Sequence, residues 1–182
     1  MTPPRNSPIP TPPAVREEPS SQLDDPHRLL AEYLDFYRET ILAKLDGLTE
    51  SQLRASRVPS GWTPLELLWH LAHVERRWLR WGFEGEDVSA PWGDHGTGKG
   101  WSVPQGVTAE EVVARYRNQC ERSREIIAKA SLADRAQTGG AYSDTSETPT
   151  LAWILFHLLQ EYARHAGQLD IVRELIDGRA GK

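Results

Sequence analysis

Residues 151–178 read LAWILFHLLQEYARHAGQLDIVRELIDG, and the fold follows from how their apolar positions repeat. Leu151, Leu155, Leu158, Tyr162, Leu169, Val172 and Ile176 recur at three- and four-residue steps, the inner stripe of a long amphipathic helix. Glu161 and His165 lie on the same stripe. Their i, i+4 spacing stacks them about 6 Å apart along the helix axis. A carboxylate turned toward a core costs several kcal/mol unless something offsets its charge. The stripe therefore calls for a compensating group from elsewhere in the fold, and a metal ion would serve.

Working outward, three more helices share this pattern. The first is predicted from Pro26 or His27 to Leu45, with Leu30, Tyr33, Leu34, Tyr37 and Ile41 inward and Gly47 as its stop. The second opens on Thr63, Pro64 and Glu66, an N-cap, a proline at the first helical position and a capping box. It is expected to run to Gly82, with His70 inward beside Leu67, Leu71 and Val74, and His73 at the edge of that arc. Glu75, Arg76, Arg77 and Arg80 read as its polar side. The third opens on a second capping box, Thr108 with Glu111, and is predicted to reach Leu132.

With no convincing strand alternation, four such helices indicate an all-α four-helix bundle over residues 26–182. Residues 1–25, rich in Pro and Ser, read as a disordered tail. Between the second and third helices, a Gly-rich loop carries Trp92, His95 and Trp101. Loops of that length in a compact domain are commonly lids, although its tryptophans also suit packing onto the bundle.

A net charge of −5 argues against a protein built to grip nucleic acid. No stretch is apolar for long enough to span a membrane, and no secretory signal is legible. The single cysteine, Cys120, rules out an internal disulfide, fits a cytoplasmic setting and reads as core filler. Trp69 and Trp81 lean outward and suit either a homodimer patch or packing under the long loop.

Bundles build metal sites from side chains on facing helices. His70, Glu161 and His165 form such a set. Two imidazoles and a carboxylate suit Zn²⁺ with an open coordination position, and equally Fe or Ni. A Glu–His pair at this spacing is also the pattern of a hydrogen-bonded surface pair; its place on the apolar stripe favours the metal. His157, one turn before Glu161, reads as an outer partner or a structural residue.

The segment WTPLELLWHLAHVERRW at residues 62–78, with HLLQEYARHAGQ at 157–168, resembles the DinB superfamily of YfiT-like metal-binding four-helix proteins. The match is nearest its actinobacterial mini-circle or mycothiol S-transferase-like branch, which also shows the GEDV and PW of residues 85–88 and 91–92. The resemblance implies His70, Glu161 and His165 as ligands of a divalent metal. Many members carry His where this chain has Glu161, and the carboxylate variant is similar to mycothiol-dependent maleylpyruvate isomerase. It further implies a metal-dependent S-transferase activating a low-molecular-weight thiol, mycothiol-like, against a small-molecule electrophile. His73 and Tyr162 are the expected catalytic candidates, and Trp92 and His95 the expected contacts for the thiol or substrate. The competing readings are a metal-dependent hydrolase and a non-catalytic metal-binding dimer.

Overall fold

The computed structural model describes residues 17–96 and 100–179, and these fold as helices, with two isolated bridges and no longer strand. Five α-helices are α1 (Pro26–Leu45), α2 (Glu50–Leu53), α3 (Pro64–Glu75), α4 (Ala109–Lys129) and α5 (Leu151–Asp177). The all-α bundle expected from the stripes is the observed fold. Residues 1–16 of the expected tail lie outside the described residues; within 17–25, Glu18 accepts a hydrogen bond from the Tyr33 hydroxyl.

Local chemistry sets the helix ends. Asp25 caps α1 by accepting from the His27 amide, and the boxes at Thr63–Glu66 and Thr108–Glu111 start α3 and α4. Gly178 stops α5 at φ +76°, a left-handed conformation that costs glycine nothing. Two elements differ from expectation. A third capping box, Thr49–Gln52, starts the one-turn α2 inside what reads as a turn segment. The second long helix leaves α geometry at Glu75 and continues as a π-helix over Arg76–Phe83. The wider winding rotates the side chains that follow. Arg77, expected on the polar face, is buried.

Contacts along the helices fix the topology. Lys44 of α1 pairs with Asp170 of α5, and Leu30 and Tyr33 near the start of α1 share a groove with Phe156 and Leu159 near the start of α5. These two helices are therefore parallel. Trp69, Glu75 and Glu84 meet Arg115, Cys120 and Arg122 in that order, so α3 and α4 are parallel too. Across the pairs the order reverses: His70 meets His165 while Trp78 meets Trp153, and Asp35 meets Arg124 while Arg38 meets Tyr116. The long helices thus run up, down, down, up. Parallel neighbours need a crossover, and the segment after Phe83 must travel back along a pair about 30 Å long before α4 begins. That requirement explains the long loop. Among the described residues, no helix is long and apolar enough to cross a membrane.

The leucine-rich interior encloses an ion pair. The Arg38 guanidinium grips both oxygens of Glu75, Nε to Oε1 at 2.8 Å and Nη2 to Oε2 at 2.9 Å, with both side chains sealed from solvent. Glu75, read from the sequence as solvent-facing, is fully buried. Tyr162 donates to the same carboxylate, and Cys120 Sγ lies 3.8 Å from it. Burial opposes both charges, yet their mutual attraction prevails: Arg38 is raised above its ordinary pKa and Glu75 held below its own. Breaking this pair from one side, as in Arg38→Met, is expected to cost about 3–5 kcal/mol in urea unfolding, whereas the double Arg38→Met/Glu75→Leu variant recovers most of it. Because the folded Glu75 pKa is depressed, its contribution is complete above the ordinary carboxylate range and fades as pH falls through the depressed value. The double variant should therefore lose less stability than the wild type below about pH 4.

Candidate metal centre

α3 and α5 cross where His70 faces His165, with ring centroids 5.2 Å apart and the planes at 79°. Glu161, one turn before His165, reaches between them. Its Oε2 lies 3.2 Å from His165 Nε2 and 3.9 Å from His70 Nε2. One ligand-capable atom from each of the three residues falls within 4.8 Å of the others. Donors sharing a tetrahedral ion at about 2.0–2.1 Å stand a little over 3 Å apart, so small side-chain adjustments bring the set to that spacing. The two histidines are buried. Glu161 is half-buried at the rim, whereas the sequence stripe had suggested a carboxylate sunk in the core. Its neighbour Tyr162 occupies that deeper position.

Both imidazoles are held from behind. His70 Nδ1 donates to Asp94 Oδ2 at 2.8 Å, and His165 Nδ1 to Gln168 Oε1 at 2.8 Å. With each Nδ1 committed to an acceptor, both rings present Nε2 to Glu161, the atom through which each would bind a metal. This donor set fits a divalent cation: two imidazole nitrogens of fixed orientation and one carboxylate. The adjoining His165 and His70 imidazoles hold Glu161 far below the ordinary carboxylate range, so it is ionised at neutral pH.

Asp94 is fixed in turn. Its other oxygen accepts from Arg77 Nη1, which also reaches the Pro91 carbonyl at 3.3 Å. Burial alone would raise the Asp94 pKa; the His70 hydrogen bond and the Arg77 charge outweigh that and hold it at about 2. The loop reaches this position through a small hairpin, in which Ser102 N donates to Asp94 O at 2.8 Å and His95 bridges to Trp101. The same hairpin lays the Trp101 indole on His70, at 4.1 Å and 16°, and edge-on to His165 at 5.2 Å.

The remaining sequence candidates fall at varying distances from this centre. His157 Nε2 lies 3.6 Å from Glu161 Oε1, with its ring between Trp78 and Trp153, as an outer partner would be. Tyr162 spends its hydroxyl on Glu75 inside the bundle. His73 turns its Nδ1 to the Trp69 carbonyl at 2.9 Å and stands in a different cleft. Trp92 is exposed, with the Arg77 guanidinium 4.3 Å over its ring, and His95 packs beside it. Trp69 lies beneath the loop, its Nε1 directed to the Gly93 carbonyl at 3.4 Å. The sequence reading missed Asp94, Arg77 and Gln168. Only Gln168 carried a local signal, at i+3 from His165.

An all-helical bundle that brings two imidazoles and a carboxylate from two helices to one point defines a class of proteins able to hold a divalent ion. The match is more particular than that: the family model described as mycothiol-S-transferase covers residues 29–178, and the chain belongs to that family. No curated protein matches it.

If Asp94 orients His70, Asp94→Asn should weaken Zn²⁺ binding by about 10- to 100-fold in a chelator-competition titration, with helicity retained. Unchanged affinity would show that the loop carboxylate plays no part in the site.

Proposed function

We propose that the protein joins a low-molecular-weight thiol, mycothiol-like in kind, through its sulfur to a small electrophile, the thiol giving up its proton, at a divalent metal held by His70, Glu161 and His165. The observation that carries this reading is the convergence of those three side chains with both histidine tautomers fixed toward the centre. Family membership supports thiol transfer as the reaction. A Zn²⁺-type ion at this point supplies Lewis acidity, which keeps a thiol ionised at neutral pH.

The chain's own groups do the rest. Asp94 and Gln168 hold the imidazoles so that neither nitrogen donor has to reorganise during turnover. Trp101 covers the imidazoles on one side and excludes water there. It also lines a cavity of about 570 Å³ with Trp62, Glu66 and Gly61, a space sized for a small co-substrate. His157, whose pKa burial lowers, is a neutral acceptor at neutral pH; its place beside Glu161 Oε1 suits it to carry the thiol proton outward. Cys120 is not the nucleophile. Its thiol is buried, and burial with the nearby Glu75 charge pushes its pKa far up. The sulfur must come from outside.

Metal-loaded protein, given a small thiol and monochlorobimane, is expected to form the conjugate faster than the uncatalysed reaction, with the excess lost in His70→Ala by at least about a hundredfold. Cys120→Ala should leave the rate within about twofold. Ester turnover without added thiol would contradict transfer in favour of hydrolysis, and absence of both activities would favour a non-catalytic metal-binding role.

A further inference from the structure

A second cleft, of about 590 Å³, opens between α3 with its π-helical extension, α4 and the long loop. None of His70, Glu161 and His165 lines it. Four guanidinium groups do, those of Arg76, Arg80, Arg115 and Arg122, and no carboxylate is among its lining residues. Its floor is apolar, from Trp69, Ala72 and Val107.

The four arginines are not equally engaged. Arg80 is paired with Glu86 and Arg122 with Glu84, both acids standing outside the cleft. Arg76 donates only to the backbone and hydroxyl of Ser89, and Arg115 rests 5.5 Å over the Trp69 ring. Among the described residues neither has a carboxylate at ion-pair distance. Glu111, one turn before Arg115, spends its carboxylate on the Thr108 cap. Partial burial, together with the charge of Arg80, lowers Arg76 below the ordinary arginine value; the Glu86 carboxylate, engaged by Arg80, offsets this only in part. His73 adds a neutral wall: burial lowers its pKa, and its Nδ1 is committed to the Trp69 carbonyl. Opposite it stands Gly93, where a Cβ would sit 3.2 Å from His73 Nε2, so the absent side chain leaves that face of the cleft open.

Guanidinium groups without an ion-pair contact of their own, over an aromatic floor in a concave space of small-molecule size, select for an anion with an apolar body. We infer that this cleft binds a small organic oxyanion, a phosphate monoester or a carboxylate, with Arg76 and Arg115 holding the charged head and Trp69 the body. This assignment does not depend on the transferase reading. The cleft and the candidate metal centre are nevertheless close in the chain: Trp69 and His73 flank His70 on one helix, and Gly93 precedes Asp94.

The test is a calorimetric titration of the full chain, free of added metal and at fixed ionic strength, with phenyl phosphate and separately with benzoate. Saturable one-to-one binding of at least one of them is expected, weakened by about tenfold or more in each of Arg76→Gln and Arg115→Gln. The tighter of the two probes identifies the preferred head group. Benzyl alcohol should not bind, and Zn²⁺ affinity should be unchanged in Arg115→Gln, a variant of an exposed residue whose circular dichroism verifies its fold. The inference is overturned if neither probe saturates below about 10 mM, if benzyl alcohol binds as tightly as the anions, or if both variants bind like the wild type. Loss of transferase activity with anion binding intact would count against the metal centre alone.

Discussion

One carboxylate decides whether the bundle presents a metal site or merely two histidines near an acid. Asp94 accepts a hydrogen bond from His70 Nδ1 at 2.8 Å, which turns Nε2 toward Glu161 as the atom able to bind a metal. Without that hydrogen bond the ring could flip or change tautomer, and three donors would no longer share a centre. Asp94 is held in that role by Arg77, which stands two turns after His70 on the same helix and donates to the other carboxylate oxygen.

The bundle interior uses the same logic a second time. Arg38 and Glu75 face each other across the core, and Tyr162 adds its hydroxyl to the pair. Adjacent residues of α5 therefore serve two polar clusters: Glu161 belongs to the outer one and Tyr162 to the inner. The inner cluster is sealed and satisfied by protein groups alone. The outer cluster has a half-buried acid, two oriented imidazoles and an indole over one side. Burial separates a structural ion pair from a site that can accept a ligand.

Much of this was legible in the chain because it is local. Capping boxes at Thr63 and Thr108 start helices wherever they occur, and the stripe through Leu151, Leu155 and Leu158 identifies the inner face of α5. Glu161 and His165 follow from spacing on a single helix, and His70 from its neighbours Leu67 and Leu71. What escaped depends on distant segments. Glu75 reads as solvent-facing until Arg38, on another helix, is seen opposite it. Asp94 sits in a loop with no period to place it, and its role appears only when the hairpin closed by Ser102 folds onto α3. Arg77 is misread because its charge groups it with Arg76 and Arg80, and its partner Asp94 lies in the distant loop.

The convergence of residues 70, 161 and 165 can be tested most directly by X-ray absorption at the zinc edge, on protein carrying one equivalent of Zn²⁺. A first shell of two imidazole nitrogens and a carboxylate oxygen at about 2.0–2.1 Å is expected, with the imidazole signal halved in His165→Ala. A shell without imidazole, or failure to retain one equivalent of metal through gel filtration, would contradict it.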